Sequence, residues 1–70
     1  MEICNLFGKN VKKYRLKSKL SQEKLGELTG LHRTYISDIE RGLRSISLNN
    51  IDKLSKALNV EIYKLFIFEE

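Results

Sequence analysis

The chain has one cysteine, one histidine, no proline, no tryptophan and four glycines in 70 residues. A single thiol, Cys4, cannot build a disulfide framework, and with only His32 beside it cannot close a zinc sphere, so no metal is expected. The absence of proline and the few glycines leave no linker, low-complexity segment or glycine-rich phosphate loop. No apolar run approaches the roughly 20 residues of a membrane span. The start, Met1 to Asn5, lacks the basic region and apolar stretch of a secretory signal. The expectation is therefore a cytoplasmic protein that meets no membrane. Enzyme activity is not expected either: no cysteine and histidine share a plausible active-site segment, the carboxylates are scattered, and no cofactor is implied. The six tyrosines and phenylalanines do not form a stacking platform for RNA.

What remains reads as one small binding domain spanning residues 1–70. The net charge of +4 is unevenly placed. Residues 1–44 hold ten Lys/Arg against five acids, whereas residues 45–70 hold three against four, so the positive potential belongs to the first part. An anionic partner is implied there.

That part contains the most informative stretch, Gln22 to Arg41. Ser21 is placed to cap a helix by accepting from first-turn N–H groups, and Glu23 complements the positive end of its dipole. Gly30 can adopt the left-handed conformation and end that helix near Thr29, while Gly26 leaves room for a close crossing. A second helix follows. At about 100° per residue from Arg33, the residues Ser37, Arg41, Thr34 and Asp38 fall within one polar arc of roughly 140°. Ile36 and Ile39 point the other way, Glu40 lies at the buried edge, and Gly42 supplies a stop. This is a helix-turn-helix whose second helix shows donors for guanine, a methyl for thymine and an acceptor for cytosine.

Arg33 is the main base-reading candidate, since a guanidinium can donate twice to guanine O6 and N7, with a phosphate contact as the competing use. Thr34 can pack on thymine or bond phosphate, and Ser37 suits a phosphate or water-mediated contact. Gln22 suits a phosphate contact at the start of the first motif helix, and Arg41 suits the backbone unless it offsets nearby acids. Tyr35 lies off the arc, so its hydroxyl reaches a phosphate or its ring merely packs. Asp38 either accepts from cytosine or is kept away by phosphate repulsion.

Elsewhere, Ile3, Phe7, Val11 and Tyr14 form an apolar stripe in a first helix, leaving Lys9, Lys12 and Lys13 to solvent. Ser47 can cap a fourth helix with a core stripe of Leu48, Ile51, Leu54 and Leu58. The last segment, Val60 to Phe68, holds more large apolar groups than one short helix can turn inward. Ile62, Leu65, Phe66, Ile67 and Phe68 are therefore candidates for a two-fold interface, with burial in their own domain as the alternative. A homodimer would present two reading helices about 34 Å apart, matched to successive major grooves of double-stranded DNA.

The sequence resembles the lambda-repressor-like, or xenobiotic response element, family of helix-turn-helix regulators. The resemblance covers about residues 6–66 and is carried by Arg15, Leu20-Ser21-Gln22, Leu25-Gly26, Gly30-Leu31, Ile36-Ser37, Ile39-Glu40-Arg41-Gly42, Ser47-Leu48, Ala57-Leu58-Asn59-Val60 and Leu65-Phe66. Within that family, His32 to Ser37 followed by Glu40-Arg41-Gly42 and Arg44 is most similar to controller proteins of restriction-modification systems. The resemblance implies an all-α, compact five-helix domain, an ion pair between Arg15 and Glu40, and Arg44 beside the DNA backbone and within reach of base edges. It also implies a regulator of transcription, repressing or activating by promoter position, with RNA polymerase as a further partner. An antitoxin or anti-repressor that uses the same fold to hold another protein is the alternative. Two departures stand out: His32 occupies a cap position where the family often has serine, and Ser45 stands where many controller-like sequences have asparagine.

Overall fold

The computed structural model describes residues 2–68. Its helices are α1 (Glu2–Lys17), α2 (Gln22–Thr29), α3 (Arg33–Glu40) and α4 (Leu48–Leu58), followed by a 3-10 helix at Ile62–Phe66. The fifth helical element is thus a tight turn and not a further α-helix. Its short i→i+3 bonds run from Lys64 N to Glu61 O and from Ile67 N to Lys64 O. The Asn10 side-chain amide donates to the carbonyls of Leu65 (2.9 Å) and Ile67 (3.0 Å), occupying acceptors near the chain end and tying the turn to α1.

Helix ends follow local chemistry. Ser21 and Ser47 have extended backbones and their hydroxyls accept from Lys24 N and Asn50 N, as N-caps should. Gly30 ends α2 at φ +77°, and Gly42 follows α3 at φ +75°, with Leu43 N bonding back to Asp38 O and Gly42 N to Ile39 O. The same closure recurs after α1 and α4 around Lys19 and Asn59, which adopt positive φ without being glycine.

Phe7, Val11, Leu25, Ile36, Ile39, Ile51, Leu54, Leu58 and Leu65 form the core. All four α-helices and the C-terminal turn contribute, within an envelope of 29 × 21 × 20 Å. Of the expected apolar stripes, Tyr14 is half-buried against this core, while two residues lie outside it: Ile3 is 54 % and Leu48 83 % exposed. Each sits in the first turn of its helix, where correct angular spacing still fails if no neighbouring element extends that far. Leu65, expected at an intersubunit surface, is fully buried in its own domain, whereas Ile62, Phe66 and Ile67 remain exposed and Phe68 is half-buried. No helix among the described residues is long and apolar enough to cross a membrane.

Helices α1 and α3 pack closest at Gly8, where a Cβ would run into the carbonyl oxygens of Ile39 and Glu40. Neither obstacle is a flexible side chain, so the helices must part. Helix propensity alone favours alanine over glycine by about 1 kcal/mol. Gly8→Ala should nevertheless give a net destabilisation of about 1–3 kcal/mol in thermal or urea unfolding, because overpacking dominates. An unchanged or raised midpoint would contradict this packing.

Candidate nucleic-acid interface

The turn between α2 and α3 is held by short-range bonds. Gly30 N and Leu31 N both donate to Gly26 O, while the Thr29 hydroxyl donates to Leu25 O at 2.8 Å and accepts from Leu31 N at 3.3 Å. Gly26 lets the chains meet, since a Cβ there would come within 2.5 Å of Leu31 O. The His32 imidazole assumes the cap of α3, its Nδ1 accepting from Thr34 N at 3.1 Å. The aromatic ring thus performs the role of a capping hydroxyl.

Behind α3 lies a charged clamp. Arg15 Nε donates to Glu40 Oε2 at 2.6 Å and a terminal nitrogen donates to Oε1 at 3.0 Å, while the other terminal nitrogen donates to Leu20 O at 2.9 Å. The side chains are only 9 % and 3 % exposed. Gln22 Nε2 adds a further bond to Glu40 Oε1 at 3.0 Å. One carboxylate at the end of α3 therefore joins α1, the α1–α2 corner and the start of α2. Among the described residues, no buried side-chain polar atom is left without a hydrogen-bond partner.

Beside this clamp, on the outer face of α3, Arg33 and Thr34 are exposed and Ser37 is half-buried. Together with Gln22 they line one shallow surface depression. Gln22, half-buried, thus belongs both to the clamp and to the lining of this depression.

A second cluster extends from the C-terminal half of α3 into the following loop. Asp38 Oδ1 accepts from Arg41 at 3.0 Å and Oδ2 from Arg44 Nε at 3.3 Å. The Arg41 hydrogen bond, followed by that from Arg44, holds the Asp38 carboxyl below the usual aspartate range. The Arg44 guanidinium lies 5.0 Å from the centre of the Tyr35 ring, and the Tyr35 hydroxyl accepts from Asn50 Nδ2 at 3.0 Å. Tyr35 is half-buried, keeping its hydroxyl proton available to an acceptor. Sequence reasoning did not single out Asn50, whose role depends on the approach of α4 to α3. Its position one turn after the Ser47 cap was the only local sign.

The exposed apolar groups belong to other elements. Ile3 and Phe66 border one cleft of about 220 Å³, with Cys4, Phe7 and Ile46 also in its lining. The Phe66 ring packs against Phe7 at a centroid distance of 5.1 Å. Among the described residues, no group of three or more potential metal ligands comes together.

A family model described as helix-turn-helix matches residues 11–65. The chain is 59 % identical over 64 residues to the control protein C.BamHI of Bacillus amyloliquefaciens, covering 90 % of this chain and 79 % of that one. Its fold is similar to the crystal structure of the restriction-modification controller protein C.AhdI from Aeromonas hydrophila, with a TM-score of 0.92, 42 % identity, and coverage of 94 % of this chain and 100 % of that one. It is also similar to SinR, a master regulator for biofilm formation crystallised in complex with DNA, with a TM-score of 0.82, 33 % identity, and coverage of 86 % and 97 %.

The clamp generates a stability prediction. Arg15→Ala leaves the Glu40 carboxylate buried and facing only Gln22, a situation that costs roughly 3–5 kcal/mol for a buried pair, far more than an exposed pair contributes. Urea unfolding should show a loss of that size. A midpoint equal to that of the unaltered protein would remove the clamp from the account.

Proposed function

Because the chain belongs to the helix-turn-helix family, we propose that it is a sequence-specific, double-stranded-DNA-binding regulator of transcription, the controller protein of a restriction-modification system. The observation that carries this reading is the outward row of Arg33, Thr34 and Ser37 on a helix whose adjoining buried edge is locked by Arg15, Glu40 and Gln22. A helix fits the major groove, and base edges there are distinguished by donors, acceptors and the thymine methyl.

Arg33 donates to guanine, Thr34 packs on thymine or bonds a phosphate, and Ser37 meets a phosphate directly or through water. Gln22 meets a phosphate. The remaining Tyr35 proton serves a phosphate oxygen, and Arg41 and Arg44 flank the reading helix on its C-terminal side. Two subunits associate through the exposed Ile62, Phe66 and Ile67 and the half-buried Phe68. Their paired helices then select a near-palindromic operator with half-sites about one turn, roughly 34 Å, apart. The protein works in the cytoplasm on the nucleoid, has no catalytic activity of its own, and acts on promoters by helping or blocking RNA polymerase. Its targets in this reading are its own gene and the adjoining endonuclease gene, so that cleavage is delayed until methylation protects the host.

Footprinting the purified protein on DNA upstream of its own gene, with filter binding on that site and on random duplex, tests the proposal. Protection of a two-fold-related site and salt-sensitive retention are expected. No retention at low salt would favour a protein-interaction module, such as an antitoxin or anti-repressor. Arg33→Ala should cost about 1–3 kcal/mol on the operator and relax choice at one base pair, whereas Gln22→Ala should weaken all sequences similarly. Equal losses on operator and random DNA for Arg33→Ala would remove its base-reading role.

A further inference from the structure

We infer that Asp38 is a positioning residue that sets selectivity, holding the Arg41 and Arg44 guanidinium groups on the protein so that a duplex lacking the right bases cannot recruit them. The inference rests on the DNA-binding reading above and assigns Asp38 a role other than direct recognition of cytosine. In the free domain both carboxylate oxygens are already occupied, one by each arginine. The cations lie outermost: the Arg41 and Arg44 side chains are 63 % and 53 % exposed, the Asp38 side chain only 20 %. Arg44 is further held against the face of Tyr35, and Tyr35 is fixed through its hydroxyl by Asn50. The chain of contacts runs from α4 through α3 to the loop.

Binding to random duplex comes almost wholly from cations that meet phosphates and release counterions. An arginine engaged by Asp38 meets a phosphate only by breaking or sharing an existing charge-assisted bond. The carboxylate itself adds a like charge close to the DNA backbone. On an operator, base contacts from Arg33 and its neighbours hold α3 in one register, where Arg44 meets the DNA from its seat on Tyr35 without leaving Asp38, so that cost is not incurred. On random DNA no register is set, and the arginines reach phosphates only by giving up Asp38. Asp38 therefore weakens binding to the wrong duplex more than to the right one.

The test compares the intact protein with Asp38→Asn on the footprinted operator and on a random duplex of equal length, between about 50 and 200 mM salt. Asp38→Asn should bind random duplex about tenfold more tightly, with the slope of log affinity against log salt steeper by about 1–2 as freed arginines reach phosphates. Operator affinity should change much less, so the selectivity ratio falls. In a background of Arg41→Gln with Arg44→Gln, the same replacement should no longer steepen the slope, a readout that a merely structural role would not move. Equal tightening on both duplexes would overturn the inference, since it marks simple removal of a repulsive charge. A loss confined to the operator and rescued by changing one base pair would overturn it in favour of base reading. If Asp38→Asn does not fold, Arg41→Gln alone serves: a nearly unchanged salt slope on random duplex supports the inference, and loss of a full phosphate contact overturns it. If the unaltered protein binds neither duplex, the DNA-binding reading itself fails; if it binds selectively and Asp38→Asn keeps the ratio, only the present inference does.

Discussion

A buried guanidinium–carboxylate fork between Arg15 and Glu40 is the constraint on which the rest of the domain depends. Two desolvated charges of opposite sign are tolerated only in good geometry with their remaining hydrogen-bonding capacity used. Here the two parallel bonds of the fork, the Leu20 carbonyl and the Gln22 amide meet that condition. Because Glu40 closes α3 while Arg15 sits near the end of α1, the fork fixes the rotation of α3 about its own axis. Rotation matters more than position for a helix that presents a narrow polar arc. The close approach of α1 to the Ile39 and Glu40 carbonyls at Gly8 brings the pair within reach.

The exposed side of α3 divides into two parts with different physics. Toward its start, Arg33, Thr34 and Ser37 keep their polar groups free of the side-chain hydrogen bonds that organise the rest of the helix, next to Gln22. Toward its end, Asp38, Arg41, Arg44, Tyr35 and Asn50 are already bonded to one another. The first part is available to a partner at once; the second must exchange internal bonds for external ones. A surface so divided favours a partner able to satisfy the first part well. Gly30 and the His32 imidazole set where that surface begins, so a few residues of the turn fix its register against the clamp.

Much of this was legible in the sequence because it is local. Ser21, Ser47, Gly30 and Gly42 mark helix ends through bonds within a few residues, and the angular arithmetic separated Ile36 and Ile39 from Arg33, Thr34 and Ser37. The same arithmetic placed Ile3 and Leu48 in the core and was wrong, since periodicity gives a direction and not the length of the neighbour. The C-terminal turn was read as a helix with an outward apolar face. Leu65 instead completes the domain's own core and Asn10 captures the turn, a contact between residues far apart in sequence that no local pattern records. Asn50 on Tyr35 and the second bond of Asp38, to Arg44 across the loop, were hidden for the same reason. The Asp38 to Arg41 contact spans a single helical turn and could have been anticipated.

The most direct test of the central claim replaces the charged fork by apolar groups of similar size, Arg15→Met together with Glu40→Leu, and measures operator and random-duplex affinity beside unfolding. Such exchanges of a buried pair are often neutral or stabilising, so the domain should stay folded. Operator preference should nevertheless fall, because α3 loses its fixed rotation, while binding to random duplex persists. Operator preference retained at the level of the unaltered protein, in a fully folded double variant, would contradict that claim and assign the orientation of α3 to apolar packing alone.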